Sequence, residues 1–94
     1  MKNKLDIIIP VFNEEKIILE LLSNLILSIS FPFKILICYD YDTDPTLKKI
    51  IESNIDTEKY SFIKNESFGP NNAILSGIKK SNAEIILEYM VDDL

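Results

Sequence analysis

Leu5-Asp6-Ile7-Ile8-Ile9-Pro10-Val11-Phe12-Asn13-Glu14-Glu15 is the stretch whose reading decides the fold. From Leu5 to Val11 the run is almost continuously apolar and is ended by Pro10, as expected of a strand buried on both faces. Asn13 is placed to cap a following helix, with Glu14 and Glu15 in its first turn, near the positive end of the helix dipole. Ile17, Ile18, Leu21, Leu22, Leu25, Ile26 and Ile29 then recur at helical spacing and form one wide apolar stripe, which reads as core. Phe31-Pro32-Phe33 breaks that helix.

The same alternation continues along the chain. Lys34 to Tyr39 reads as a second strand. Asp44-Pro45 is a helix start, with Asp at the cap and Pro at the first helical position, and Leu47, Ile50 and Ile51 supply that helix's apolar side. Tyr60 to Ile63 is a short third strand. Gly69-Pro70 opens a third helix with Ala73, Ile74, Gly77 and Ile78 on one face, Gly77 marking close packing on the sheet. Ala83 to Tyr89 is the fourth strand, whose apolar run Ile85-Ile86-Leu87 reads as a buried parallel strand, followed by Met90-Val91-Asp92-Asp93-Leu94. The predicted fold class is therefore α/β: a Rossmann-like three-layer sandwich, with a four-stranded parallel sheet in the order 3-2-1-4 and helices on both faces. In that order the switch point lies between strands one and four. Ligands bind outside the carboxyl ends of the strands at such a point.

The chain's bulk properties exclude several classes. Its 94 residues make a single small domain, and 47% apolar with 27% charged residues is ordinary for a globular chain. A net charge of −5 disfavours nucleic acid and anionic membrane as partners, and an anionic ligand would need a metal or local amides to bind. With no His and one Cys, Cys38, neither a structural zinc site nor an internal disulfide is available; Cys38 reads as a small core residue. No secretory or transit peptide is evident, and the Ile17 to Phe31 segment is too short and too polar to span a bilayer. The expected location is the cytoplasm.

Three groups of residues carry possible chemistry. Asp40, Asp42 and Asp44 alternate as in the start of a calcium loop, but the glycine and later Glu are missing and Pro45 intervenes. Asp44 is read as a cap. Asp40, at a strand's carboxyl end, is placed to accept hydrogen bonds from a base or ribose. Asn65 to Asn72 is a polar loop before a helix, a site type that favours phosphate. It lacks Walker or Rossmann glycine spacing and reads equally as a plain capped loop. Asp92-Asp93, after a strand, could hold a divalent cation against a phosphate or be a solvated pair.

Together these segments resemble family 2 glycosyltransferases of the GT-A fold, in truncated form. Ile7 to Glu15 is similar to that family's first strand and turn: a hydrophobic run, Pro, two residues, then Asn-Glu. Ile37-Cys38-Tyr39-Asp40-Tyr41-Asp42-Thr43-Asp44-Pro45-Thr46 resembles its second-strand motif, usually a hydrophobic pair, Asp-Asp-Gly-Ser, then Thr-Asp-Gly-Thr, with Tyr39 in place of the first Asp, Tyr41 of the Gly and Asp42 of the Ser. Asn65 to Gly77 matches its Asn, Gly, Ala and Gly positions. Ile85 to Leu94 falls where the family has its metal-binding Asp-x-Asp. Asp93 matches the last Asp and Val91 the first. The Asp-Asp variant of polyprenyl-phosphate sugar transferases fits Asp92-Asp93 as well.

The resemblance implies a nucleotide-diphospho-sugar donor, with Mg2+ or Mn2+ held by Asp93 and Asp92. It implies donor-binding roles for Pro10, Val11, Asn13, Glu14, Asp40, Asn65, Gly69 and Ala73. The acceptor, a lipid-linked group or a glycan, and the catalytic base of an inverting enzyme would belong to an acceptor half that residues 1–94 do not include. The expectation is a donor-binding half, inactive alone, placed in the longer enzyme at the cytoplasmic face of the membrane. A non-catalytic small α/β binding module, or an inactive remnant, is the alternative. A nucleotidyltransferase would want a glycine-rich basic loop where Pro10-Val11-Phe12-Asn13 stands. A receiver module would want an acidic pair after the first strand and an isolated Asp after the third, where Ile63-Lys64 stands.

Overall fold

The computed structural model describes residues 5–91. Four strands, β1 (Leu5–Val11), β2 (Phe33–Tyr39), β3 (Tyr60–Lys64) and β4 (Ile85–Glu88), alternate with three helices, α1 (Ile18–Ser28), α2 (Pro45–Ile51) and α3 (Pro70–Lys80). The sheet order is β3-β2-β1-β4 and every pairing is parallel, as the alternation predicts.

Two cores flank the sheet. On one face Ile7, Ile9 and Val11 of β1 pack with Ile18, Leu21 and Leu22 of α1 and Ile50 of α2. On the other, Ile8 of β1 and Leu36 and Cys38 of β2 pack with Ala73 of α3. Successive side chains of a strand point to opposite faces, so a strand serving both cores must be apolar at nearly every position. All seven residues of β1 are buried. Its one charged member, Asp6, accepts a 2.6 Å hydrogen bond from the Ser81 hydroxyl.

Pro10 sits in this central strand at a position where it costs no ladder bond. Along a strand the backbone polar groups of alternate residues point to the same neighbour. The Ile8 carbonyl accepts from Tyr89 N–H, on the β4 side, so Pro10 also faces that side. The β1–β4 pairing ends at Ile8↔Glu88, while β1 runs on beside β2 to Val11↔Tyr39. The missing N–H of proline thus falls beyond the end of β4, where the sheet splits open.

Gly77 explains how closely α3 lies on the sheet. A Cβ there would come within 2.9–3.0 Å of Ile8 and Cys38 side-chain atoms.

Three local expectations are corrected. Asn13 does not cap α1: it takes a left-handed conformation (φ 54°), and α1 begins at Ile18 with Ile17 as a cap that makes no side-chain hydrogen bond. The amides of Asn13 and Glu14 are bound instead by the Asp44 carboxylate and the Thr46 hydroxyl at the start of α2, and one hydrogen-bonded turn from Glu14 leads into α1. Second, β4 is not buried on both faces: Ile85, Ile86 and Leu87 are 52%, 37% and 48% exposed. It is an edge strand, and among the described residues no helix covers it. Third, Ile51 and Ile78 turn outward rather than into the core.

Candidate functional site

Where β1 and β4 part, the surface opens into a cleft of about 390 Å³. Pro10, Val11, Phe12 and Glu14 line it from the end of β1, Asp40 from the end of β2, Gly69, Pro70 and Ala73 from the start of α3, and Met90 and Val91 from the segment after β4. Elements far apart in sequence meet here because parallel strands deliver all their carboxyl ends to one edge of the sheet. A wider groove, about 750 Å³, runs along the α3 side of β2 and β3 past Lys34, Lys64, Lys79 and Lys80. It lies away from the switch point. Two of its lysines are already paired, Lys64 with Asp42 and Lys79 with Glu66.

Two hydrogen-bond networks shape the cleft. In the first, the β2–α2 loop grips the β1–α1 turn. Asp44, 2% exposed, accepts from Thr46 N–H at 2.9 Å as the cap of α2, and its two oxygens accept from Asn13 N–H at 3.1 and 3.2 Å. The Thr46 hydroxyl accepts from Glu14 N–H at 2.8 Å. The Tyr41 hydroxyl donates to Asn13 Oδ1, and its ring lies 5.7 Å from that of Phe12. Partial desolvation raises the Tyr41 pKa above its usual value, as do the negative charges of Asp44 and Glu15, against the Asn13 hydrogen bond, which lowers it. Asp44 is the expected cap, and it is also the tie between two loops.

In the second network Asp40 anchors the β3–α3 loop. Its Oδ1 accepts from Asn65 Nδ2 at 2.8 Å and its Oδ2 from Gly69 N–H at 3.2 Å. Asn65 Nδ2 also donates to the Gly69 carbonyl at 3.0 Å, while Asn65 Oδ1 accepts from Ser67 N–H and the Ser76 hydroxyl. Gly69 holds φ +89°, and a Cβ there would meet nothing within 4 Å; the demand for glycine is conformational, not spatial.

Most of the residues singled out in the sequence meet at this cleft. Pro10, Val11, Glu14, Asp40, Gly69 and Ala73 line it. Asn13 stands on its rim with its amide and side chain engaged by Asp44 and Tyr41. Asn65 does not line it: it is 5% exposed and its amide group is engaged within the protein, holding Asp40 and the loop in place. Asp92 and Asp93 lie outside the described residues. Phe12, Pro70 and Met90 line the cleft without having been singled out, and Val91, matched to the first Asp position of the metal motif, lines it as an apolar residue. The one legible signal for the first three was their position immediately beside residues that were singled out.

A four-stranded parallel sheet in the order β3-β2-β1-β4, with a cleft at the carboxyl ends of its strands, defines an open α/β domain. The chain belongs to glycosyl transferase family 2, whose family model matches residues 6–93. It is similar to the undecaprenyl-phosphate 4-deoxy-4-formamido-L-arabinose transferase of Proteus mirabilis (strain HI4320), 27% identical over 95 residues covering 96% of this chain and 29% of that protein. In structure it resembles the mannosyltransferase PcManGT of Pyrobaculum calidifontis, solved in complex with GDP-Man and Mn2+. The TM-score is 0.73 at 18% identity, over 92% of this chain and 26% of that one. The GT-A fold expected from the sequence is thus the fold observed. The chain spans about 29% of the length of the curated relative it matches. Among the described residues no helix is long and apolar enough to cross a membrane.

Proposed function

We propose that residues 1–94 are the donor-binding half of a glycosyltransferase that moves a sugar from a nucleotide-diphospho-sugar to an acceptor with Mg2+ or Mn2+. The observation that supports this best is the meeting of Pro10, Phe12, Glu14, Asp40 and Gly69 on one cleft at the sheet's switch point. The nucleoside is assigned to the end formed by the β1–α1 turn and Asp40. The diphosphate is assigned to the side of Met90 and Val91.

The donor set available there suits the cation. Val91 is buried and lines the cleft, and Asp92 and Asp93 come next in the sequence. Among the described residues no group of three His, Cys, Asp or Glu could hold a metal. From the resemblance to the family's metal motif, the cation is assigned to Asp93 and Asp92, whose hard oxygens match it; Mg2+ is ordinarily held by one or two carboxylates plus substrate phosphates and water. When bound, it supplies charge neutralisation to the departing diphosphate. The chain's own part is to bind and orient. The β1–α1 turn and Asp40 fix the nucleoside end, Asn65 and Gly69 hold Asp40 in its orientation, and the apolar wall of Pro10, Val11 and Ala73 excludes water.

The acceptor is proposed to be a lipid-linked group or a glycan. The Proteus mirabilis relative, an undecaprenyl-phosphate 4-deoxy-4-formamido-L-arabinose transferase, supports the first. The cytoplasmic location, at the membrane face in a longer enzyme, belongs to the same proposal. So does the assignment of the acceptor half and the inverting base to residues outside 1–94: this chain binds the donor and does not transfer it alone.

Titration calorimetry with UDP and GDP, with and without Mn2+, tests the reading. Metal-dependent binding that weakens at least about tenfold in Asp93→Ala is expected. Binding indifferent to both metal and Asp93 would remove the metal role. No binding at all would favour an inactive remnant or an unrelated binding module.

A further inference from the structure

We propose that Tyr41 is a positioning residue for the nucleoside end of the cleft, acting through Phe12 and Asn13. The inference rests on the donor-site reading above and adds to it a residue that does not itself line the cleft.

The argument starts from what the rest of the loop already does. The backbone of the turn is fixed by Asp44 and Thr46, which hold the amides of Asn13 and Glu14. The side chains of Phe12 and Asn13 remain to be set, and both project into exposed positions. Tyr41 restrains both. Its hydroxyl donates to Asn13 Oδ1, and its ring meets Phe12 at 5.7 Å and 59°, a tilted geometry that aromatic pairs favour. Phe12 lines the cleft and is 57% exposed, so it still has ring surface to offer a planar partner. An unsupported Phe side chain would sample other rotamers, and a ligand that used it would carry the cost of ordering it. With Tyr41 in place that ordering is present before the ligand arrives. A Tyr41 that merely shielded the turn would affect stability and would not distinguish ligands with a base from ligands without one.

The test titrates the 94-residue chain, in Mn2+, with UDP, GDP and inorganic pyrophosphate. Tyr41→Ala is expected to weaken the tighter nucleoside diphosphate about three- to tenfold while changing pyrophosphate by less than about twofold. Tyr41→Phe, which keeps the ring and loses the hydroxyl, is expected to fall between, and it serves if Tyr41→Ala folds poorly. In a Phe12→Ala background the effect of Tyr41→Ala should shrink to the part that Tyr41→Phe accounts for. Three results overturn the inference: nucleoside diphosphate affinity unchanged in both Tyr41 variants, pyrophosphate weakened equally, or the full loss persisting without Phe12. A wild-type chain that binds pyrophosphate but neither nucleoside diphosphate would overturn the donor-site reading itself, and this inference with it.

Discussion

The amide of Asn13 donates to both carboxylate oxygens of Asp44, 31 residues further along the chain, at 3.1 and 3.2 Å. The cap of α2 therefore also holds the turn that leads into α1. One buried side chain couples the ends of β1 and β2 and fixes one wall of the cleft.

Removing that carboxylate should cost more than an ordinary helix cap. Asp44→Ala leaves the amides of Asn13 and Thr46 without their acceptor. A lost cap alone costs about 1 kcal/mol, and an orphaned amide adds about 1–2 kcal/mol. Urea denaturation should show a loss of about 2–3 kcal/mol, with Asp44→Asn losing less because it keeps one acceptor oxygen.

The two glycines predict opposite causes for similar damage. Helix propensity alone says Gly77→Ala should stabilise α3 by about 1 kcal/mol. The new Cβ would meet Ile8 and Cys38 at 2.9–3.0 Å, and overpacking a core costs about 1–3 kcal/mol, so net destabilisation is expected. Gly69→Ala meets no neighbour, and its cost of about 1–2 kcal/mol comes from φ +89°. Thermal melts of both variants check the sign. An unchanged or higher Tm for Gly77→Ala would contradict the close packing of α3.

Asp40→Asn separates anchoring from ligand contact. The wild-type carboxylate accepts from Asn65 and from Gly69 N–H. An amide can satisfy only one of them without turning its own N–H group on the other. A stability loss of about 1–2 kcal/mol by urea denaturation is expected even without ligand. A residue that only touched ligand would show none.

Alkaline pH should weaken the fold through Cys38. Burial pushes its thiol pKa from 9.0 up to about 12. The unfolded chain therefore releases this proton first. Stability from this group is complete below about pH 9, declines as pH rises from there, and is lost by about pH 12, with a limiting slope near 1.4 kcal/mol per pH unit. Urea melts between about pH 8 and pH 10 should show a steeper decline in wild type than in Cys38→Ala, whatever the baseline of the variant.

The sequence made the sheet legible because its strongest signals are one-dimensional. The apolar run of β1 and the Asp44-Pro45 start each carry their meaning in adjacent residues, and alternation then implies the strand order. The start of α1 was not legible, because Asn13 is claimed by a carboxylate 31 residues away rather than by its own helix. The exposure of β4 was not legible either: apolar residues state what a strand can bury, and the layers around it decide what is buried. Asp40 was singled out from its place after a strand and Glu14 from the family resemblance, and both line the cleft. Asn65 drew a binding role from its loop before α3 and from the family resemblance, whereas its bonds are internal. The pairing of Phe12 with Tyr41 was not legible because two aromatics in separate turns follow no period; only folding brings their rings within 5.7 Å.

The most direct test of the central claim, that the cleft between β1 and β4 is the donor site, is an amide NMR titration with a nucleoside diphosphate, using Mg2+ and then Mn2+. The account predicts shift changes at the amides of residues 11–14, 40, 69, 71–73 and 90–91, with Mn2+ broadening strongest at 90–93. Changes confined to the lysine groove along β2 and β3, or broadening centred away from residues 90–93, would contradict it.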